Sequence, residues 1–184
     1  MEKVHSRAII NSSTRKLAVG GLLSAISIVM SFTPLGYVPV PTPAGSVTTM
    51  HVPVIIAALL EGPYIGTMVG SIFGLTSFIR GANFFVDPVV AIIPRLFIGM
   101  GSYFAMRLTA RLLSDKTKRD FLPYAAGAFT GTVINTAGVL SLATLRGYLP
   151  GYAAAGVAVS HGIPEIIVAI ILTILICRTV RKLY

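Results

Sequence analysis

Six apolar runs separated by short polar or proline-rich breaks make up almost the whole chain. They lie at Arg15 to Phe32, Val47 to Leu60, Pro63 to Ile79, Pro88 to Leu113, Leu122 to Leu145 and Gly156 to Cys177. A helix of about 20 apolar residues crosses a hydrocarbon core of about 30 Å. The pattern therefore predicts an all-α integral membrane bundle of six transmembrane helices forming one domain over residues 1–184. The second run is short, and fused to the third as one broken helix it would leave five spans.

The distribution of Lys and Arg discriminates between these topologies, because basic residues collect in cytoplasmic loops. With six spans, twelve of the fifteen fall on one side: Lys3, Arg7, Arg15, Lys16, Arg107, Arg111, Lys116, Lys118, Arg119, Arg178, Arg181 and Lys182. Both termini are then cytoplasmic, with Arg80 and Arg146 in outer loops and Arg95 inside the membrane. Five spans would put Lys116, Lys118 and Arg119 opposite the basic N-terminus. A cleaved signal peptide over the first run has the same defect, and no small-x-small cleavage site follows closely.

Composition agrees: 54% hydrophobic and 11% charged residues suit a bilayer environment. The net charge of +9 thus reflects topology, and the expected surroundings are a plasma membrane, crossed several times, and no nucleic acid. Cys177 stands alone, which excludes an internal disulfide, and reads as an apolar filler. No phosphate-binding Gly-x-x-x-x-Gly-Lys-Ser/Thr loop, His-Glu-x-x-His or Gly-x-Ser-x-Gly is present. Neither ATP hydrolysis nor metalloprotease chemistry is indicated in the chain itself, so no cofactor is expected in it.

Polar residues inside the apolar runs carry the candidate chemistry, because an ionised group at a helix centre costs about 2.5–3.5 kcal/mol on insertion scales. Arg95 lies seven residues inside the outer end of its run, Glu165 nine and Asn135 ten, and His161 is one helical turn above Glu165. All four can share one outer cavity. Pro94 and Pro164 precede the two charges, and a proline kink there frees backbone carbonyls. Arg95 and Glu165 either pair with each other or exchange that pairing for a ligand carboxylate, which the guanidinium fork suits. His161 and Asn135 then address hydroxyl or amide groups. His51, at the start of the second run, is a cavity wall residue or an interfacial histidine, and Asn83 and Tyr37 in the outer loops complete the candidate substrate-binding set.

The outer segment Thr33 to Met50 holds Pro34, Pro39, Pro41 and Pro43 with Gly36 and Gly45, a composition that resists helix and suits an extended lid. Phe84, Phe85, Tyr148 and Tyr152 in the other outer loops cap a ligand or form an interfacial belt. Gly62, Gly66, Gly70 and Gly74 recur every four residues along one helix face, as close helix packing requires. Ala18, Gly21 and Ala25 form a smooth strip on the first run, a candidate contact for another membrane protein.

Together, these residues resemble the substrate-binding (S) components of energy-coupling-factor (ECF) vitamin transporters. The resemblance covers nearly the whole chain and rests on the long outer loop, Thr49-Met50-His51-Val52-Pro53-Val54-Ile55, Leu60-Glu61-Gly62-Pro63-x-x-Gly66, Ile93-Pro94-Arg95, Asn135-Thr136 and Gly162-Ile163-Pro164-Glu165. It implies a prokaryotic protein that binds one vitamin from outside and docks on a transmembrane coupling (T) subunit with two cytoplasmic ATPase subunits. ATP consumed by those partners would reorient the S component and deliver the cargo inward. Members usually carry Ala-x-x-x-Ala on the first helix for that docking; here the strip reads Gly21-x-x-x-Ala25. The motif combination is most similar to the pantothenate-type branch, with folate, lipoate or a pyridoxine-like cargo as alternatives. Two other classes are an autonomous carrier with a proton on Glu165 and His161, and an intramembrane enzyme using them as an acid–base pair.

Overall fold

A computed structural model describes the backbone of residues 2–39, 46–115 and 121–183, and the side chains of 13–38, 46–115 and 121–182. Lys116, Lys118 and Arg119, Pro41, Pro43 and Gly45 of the lid, and the side chains of Lys3 and Arg7 lie outside the described residues. Six α-helices follow in order among the described residues: α1 (Glu2–Ser31), α2 (His51–Glu61), α3 (Pro63–Arg80), α4 (Pro88–Leu112), α5 (Leu122–Leu145) and α6 (Gly151–Leu183). A short 3-10 turn, Asn83–Val86, leads into α4. The expected all-α fold gains one β element. Strands β1 (Tyr37–Pro39) and β2 (Ser46–Thr48) pair antiparallel, with Tyr37 opposite Thr48 and Val38 opposite Val47.

Helices α1, α4, α5 and α6 are long and apolar enough to cross a membrane. At 18 residues α3 is diluted by Gly, Thr and Ser, and α2 has only 11 residues, about 16 Å of helix. All but one of the α2 residues are buried. A helix apolar on every face belongs at the centre of its bundle, so α2 is the core around which the others pack.

Gly62 separates α2 from α3 with φ 103, a conformation that a side chain would strain. The chain reverses there. A Cβ on Gly66 would lie 2.5 Å from the Cβ of Ala58, and one on Gly70 would lie 3.3 Å from Val54, so contacts run backwards along α2 as the chain advances along α3. The two form an antiparallel hairpin and not one broken helix. The other side of the same ladder meets α4: Gly66 faces Gly99, Gly70 faces the carbonyl of Arg95, and Gly74 faces Ile92. Expected close packing is therefore found, with α3 wedged between two neighbours by glycine on both flanks.

Polarity is inverted relative to a water-soluble protein. Leu17, Leu22, Val29, Phe104, Ile171 and Leu175 point outward while Ser27, Arg95, Ser102, Thr132, Asn135 and Thr173 are buried. On α1, Gly20 packs against Met68 and Ile65 of α3, but nothing lies within 4 Å of a Cβ placed on Gly21. Ala18 and Ala25 are exposed beside it.

Candidate functional site

Pro94 explains the unusual setting of Arg95. Proline has no N–H, so it cannot donate to the carbonyl four residues earlier, that of Val90. Arg95 supplies the missing donor: its Nη1 donates to the Val90 carbonyl at 2.8 Å. The guanidinium is held between the rings of Phe73 at 5.1 Å and Phe85 at 4.8 Å, a cation–π arrangement in a nearly dry site. Arg95 is 1% exposed, and its Nε is buried without a hydrogen-bond partner.

Glu165 does not form an ion pair with Arg95. Its Oε1 accepts the backbone N–H of Thr48 at 2.7 Å, and its Oε2 accepts the hydroxyl of Thr136 at 2.9 Å. Ion pairs among the described residues are Arg15–Glu61 at 3.0 Å and Arg146–Asp87 at 2.7 Å. The expected Arg95–Glu165 tie is thus replaced by a tie between α6, α5 and the β ribbon. His161, one turn above on α6, is hydrogen-bonded to the backbone of Ser46. Two α6 side chains therefore fasten the same strand, β2.

These residues line one cavity. It is lined by Tyr37, Ser46 and Thr48 of the ribbon, Phe84 and Phe85, Arg95, Asn135 and Thr136, and Val139, Leu140, Val157, His161 and Glu165. Its open space of about 40 Å³ accommodates only about three waters. Asn135 is buried on the wall with its Oδ1 unpartnered. Arg95 and Asn135 thus stand in the wall of this cavity with hydrogen-bonding capacity left unused, flanked by apolar and aromatic side chains.

A family model described as "ECF transporter, substrate-specific component" matches residues 15–177. The chain belongs to this family. A curated relative, the "Pantothenic acid transporter PanT" of Lactococcus lactis subsp. cremoris (strain MG1363), is 26% identical over 162 residues, covering 73% of this chain and 78% of the relative. This ECF substrate-specific component is accordingly a multi-pass membrane protein of a transporter family and not of an enzyme family.

Of the sequence-predicted residues in this substrate-specific component, Arg95, Asn135, His161, Glu165 and Tyr37 line the cavity together. His51 and Asn83 do not. His51 is 1% exposed and neither a wall nor an interfacial residue, because α2 is sunk into the core; both its ring nitrogens lack hydrogen-bond partners. Asn83 is exposed with φ 53, where it turns the chain into the 3-10 segment. The neighbouring Phe84 and Phe85 enter the cavity in its place, whereas Tyr152 is 84% exposed and Tyr148 donates to Asp87 at 3.4 Å. Sequence reasoning did not single out Thr48, or Phe73 behind Arg95, and gave Thr136 only as part of the Asn135-Thr136 motif. Phe73 falls within the glycine ladder's helix and reads as ordinary core, and the Thr48 contact depends on strand register.

Proposed function

We propose that this chain is the high-affinity vitamin-binding S component of an ECF-type importer, with pantothenate as its cargo. It captures the vitamin from outside, crosses the membrane six times with both termini cytoplasmic, and delivers its cargo inward when a T subunit and two ATPase subunits drive its reorientation. The observation that carries this reading is that Arg95 and Asn135, each with a buried polar atom lacking a hydrogen-bond partner, line one cavity. A buried unsatisfied group costs about 1–3 kcal/mol, a cost that a ligand with the complementary groups would relieve.

Pantothenate has a carboxylate, an amide, two hydroxyls and a branched apolar centre. Arg95 takes the carboxylate, Asn135 and His161 the amide and hydroxyls, and Phe84, Phe85, Val139 and Leu140 the apolar centre. The similarity to a pantothenic acid transporter supports the choice of cargo. Both oxygens of Glu165 already accept hydrogen bonds, which favours a role in holding the ribbon over one as a proton carrier. The ribbon then serves as the lid, lifting to admit the cargo and closing again over it.

Calorimetry on the purified chain with pantothenate, folate, lipoate and pyridoxine tests the reading. Tight binding of pantothenate that vanishes in Arg95→Ala is expected. Tight binding of another compound would replace the cargo, and uptake by vesicles holding this chain alone, without ATP, would replace the importer mechanism.

A further inference from the structure

A second hollow adjoins the first at Tyr37. It is lined by Ser31, Phe32, Thr33 and Pro34 from the end of α1, Arg80 from the end of α3, and Tyr37, and its volume is about 350 Å³. The inner cavity, at about 40 Å³, is far smaller. Tyr37 is the residue common to both linings, so the two hollows meet at this residue. Its hydroxyl shares a hydrogen bond of 2.8 Å with Ser77, which holds the ring in place.

Arg80 lines the second hollow. Its guanidinium carbon is 4.1 Å from the centre of the Tyr37 ring, and its Nη1 reaches the Ser31 carbonyl at 3.5 Å. Asp87, the acid at the N-terminus of α4, is engaged by Arg146 at 2.7 Å, and among the described residues Arg80 has no carboxylate partner. An unneutralised cation at the mouth of a hollow attracts anions and raises their rate of encounter. Arg95 is a second guanidinium, lining the inner cavity to which the same tyrosine contributes.

We propose that the outer hollow is a transit site for an organic carboxylate, in which Arg80 receives the acid before Tyr37 and the ribbon move aside and Arg95 takes it over. This rests on the reading of an acidic cargo. The two guanidiniums then have different duties: Arg95 sets how long the ligand stays, and Arg80 sets how fast it arrives. A charge outside the final site acts mainly on the association rate and its salt dependence.

The test uses the full-length chain in nanodiscs of uncharged (zwitterionic) phosphatidylcholine, with rapid-filtration kinetics of labelled pantothenate, folate and lipoate at low and high salt. For whichever acid the wild type binds, Arg80→Gln should slow association roughly three- to tenfold at low salt, flatten its salt dependence and leave dissociation no faster. Arg80→Lys, which retains the charge, should restore most of the rate. An unchanged association rate in Arg80→Gln, or a loss of affinity arising only from faster dissociation, would overturn the transit site, the latter by making Arg80 a mere brace for the ribbon. Binding of folate or lipoate in place of pantothenate would remove the cargo assignment while the same rate comparison still judged Arg80. Binding of none of these acids would overturn the transit site as well.

Discussion

Glu165 and Thr48 are joined by a 2.7 Å hydrogen bond from a strand amide to a buried carboxylate. Because Thr136 donates to the other oxygen, one side chain of α6 couples the outer ribbon to α5. Hydrogen bonds to charged groups contribute about 1.5–3 kcal/mol each, so Glu165→Ala should release bound vitamin on the order of tenfold or more faster. Glu165→Gln, which retains one acceptor oxygen, should fall between it and the wild type. Dissociation of labelled ligand after dilution measures this, and a wild-type rate in Glu165→Ala would remove the latch.

Arg95 and Asn135 make a more direct prediction. Arg95→Ala should abolish binding of an acidic vitamin without unfolding the chain, and Arg95→Lys should restore little, since an ammonium cannot offer a fork to both a carboxylate and the Val90 carbonyl. Asn135→Ala should weaken binding by about 1–3 kcal/mol. Calorimetry with a parallel melting curve separates lost recognition from lost fold. Normal binding by Arg95→Ala would end the carboxylate role.

The glycine wedge sets a limit on substitution. A Cβ on Gly99 would sit 2.5 Å from the carbonyl carbon of Gly66, and one on Gly70 would collide with the carbonyl of Arg95. Gly99→Ala and Gly70→Ala should each destabilise the chain by about 1–3 kcal/mol, as overpacking does, and Gly70→Ala should also weaken binding by displacing the backbone of Arg95. Gly21→Ala, with nothing within 4 Å, is the neutral control. Thermal unfolding in detergent provides the comparison.

That same open space gives α1 a different prediction. Gly21→Leu should leave vitamin binding by the isolated chain intact and block uptake by the assembled transporter, because a bulky side chain would project from the smooth strip formed with Ala18 and Ala25. Impaired binding in the isolated chain would instead assign the strip to internal packing.

Asp87 yields a pH dependence. Its carboxylate accepts from Arg146 at 2.7 Å and from the Val89 amide at 2.8 Å, where it caps α4. The hydrogen bond from Arg146, ahead of the cap bond, holds its pKa below the ordinary 3.8 although burial opposes this. A depressed carboxylate contributes stability above its unfolded value, and this is lost as pH falls below 3.8 and through the lower native one. Melting curves from pH 6 downward should therefore fall below about pH 4 in the wild type, and Asp87→Asn should lose this component of the decline. Identical pH profiles for the two would show that Asp87 contributes none of it.

Much of the molecule is written locally in the chain. Apolar runs set the helices, because a segment in lipid must satisfy its backbone hydrogen bonds internally, and the four-residue glycine spacing foretold close packing. Arg95, Asn135, His161 and Glu165 stood out because polar groups inside such runs are costly, and depth counted along each helix already allowed them to share a cavity. Tertiary structure decided what depth could not. Which neighbour a side chain meets depends on the rotation of each helix about its axis and on the register of the ribbon. That turned Glu165 toward Thr48 and Thr136, left the Arg95 guanidinium to the Val90 carbonyl and two phenylalanines, and placed His51 in the core on α2. The ribbon's register, with Tyr37 opposite Thr48, brought one loop residue to the junction of the two hollows and another to the latch, a pairing fixed by contacts between residues distant in sequence.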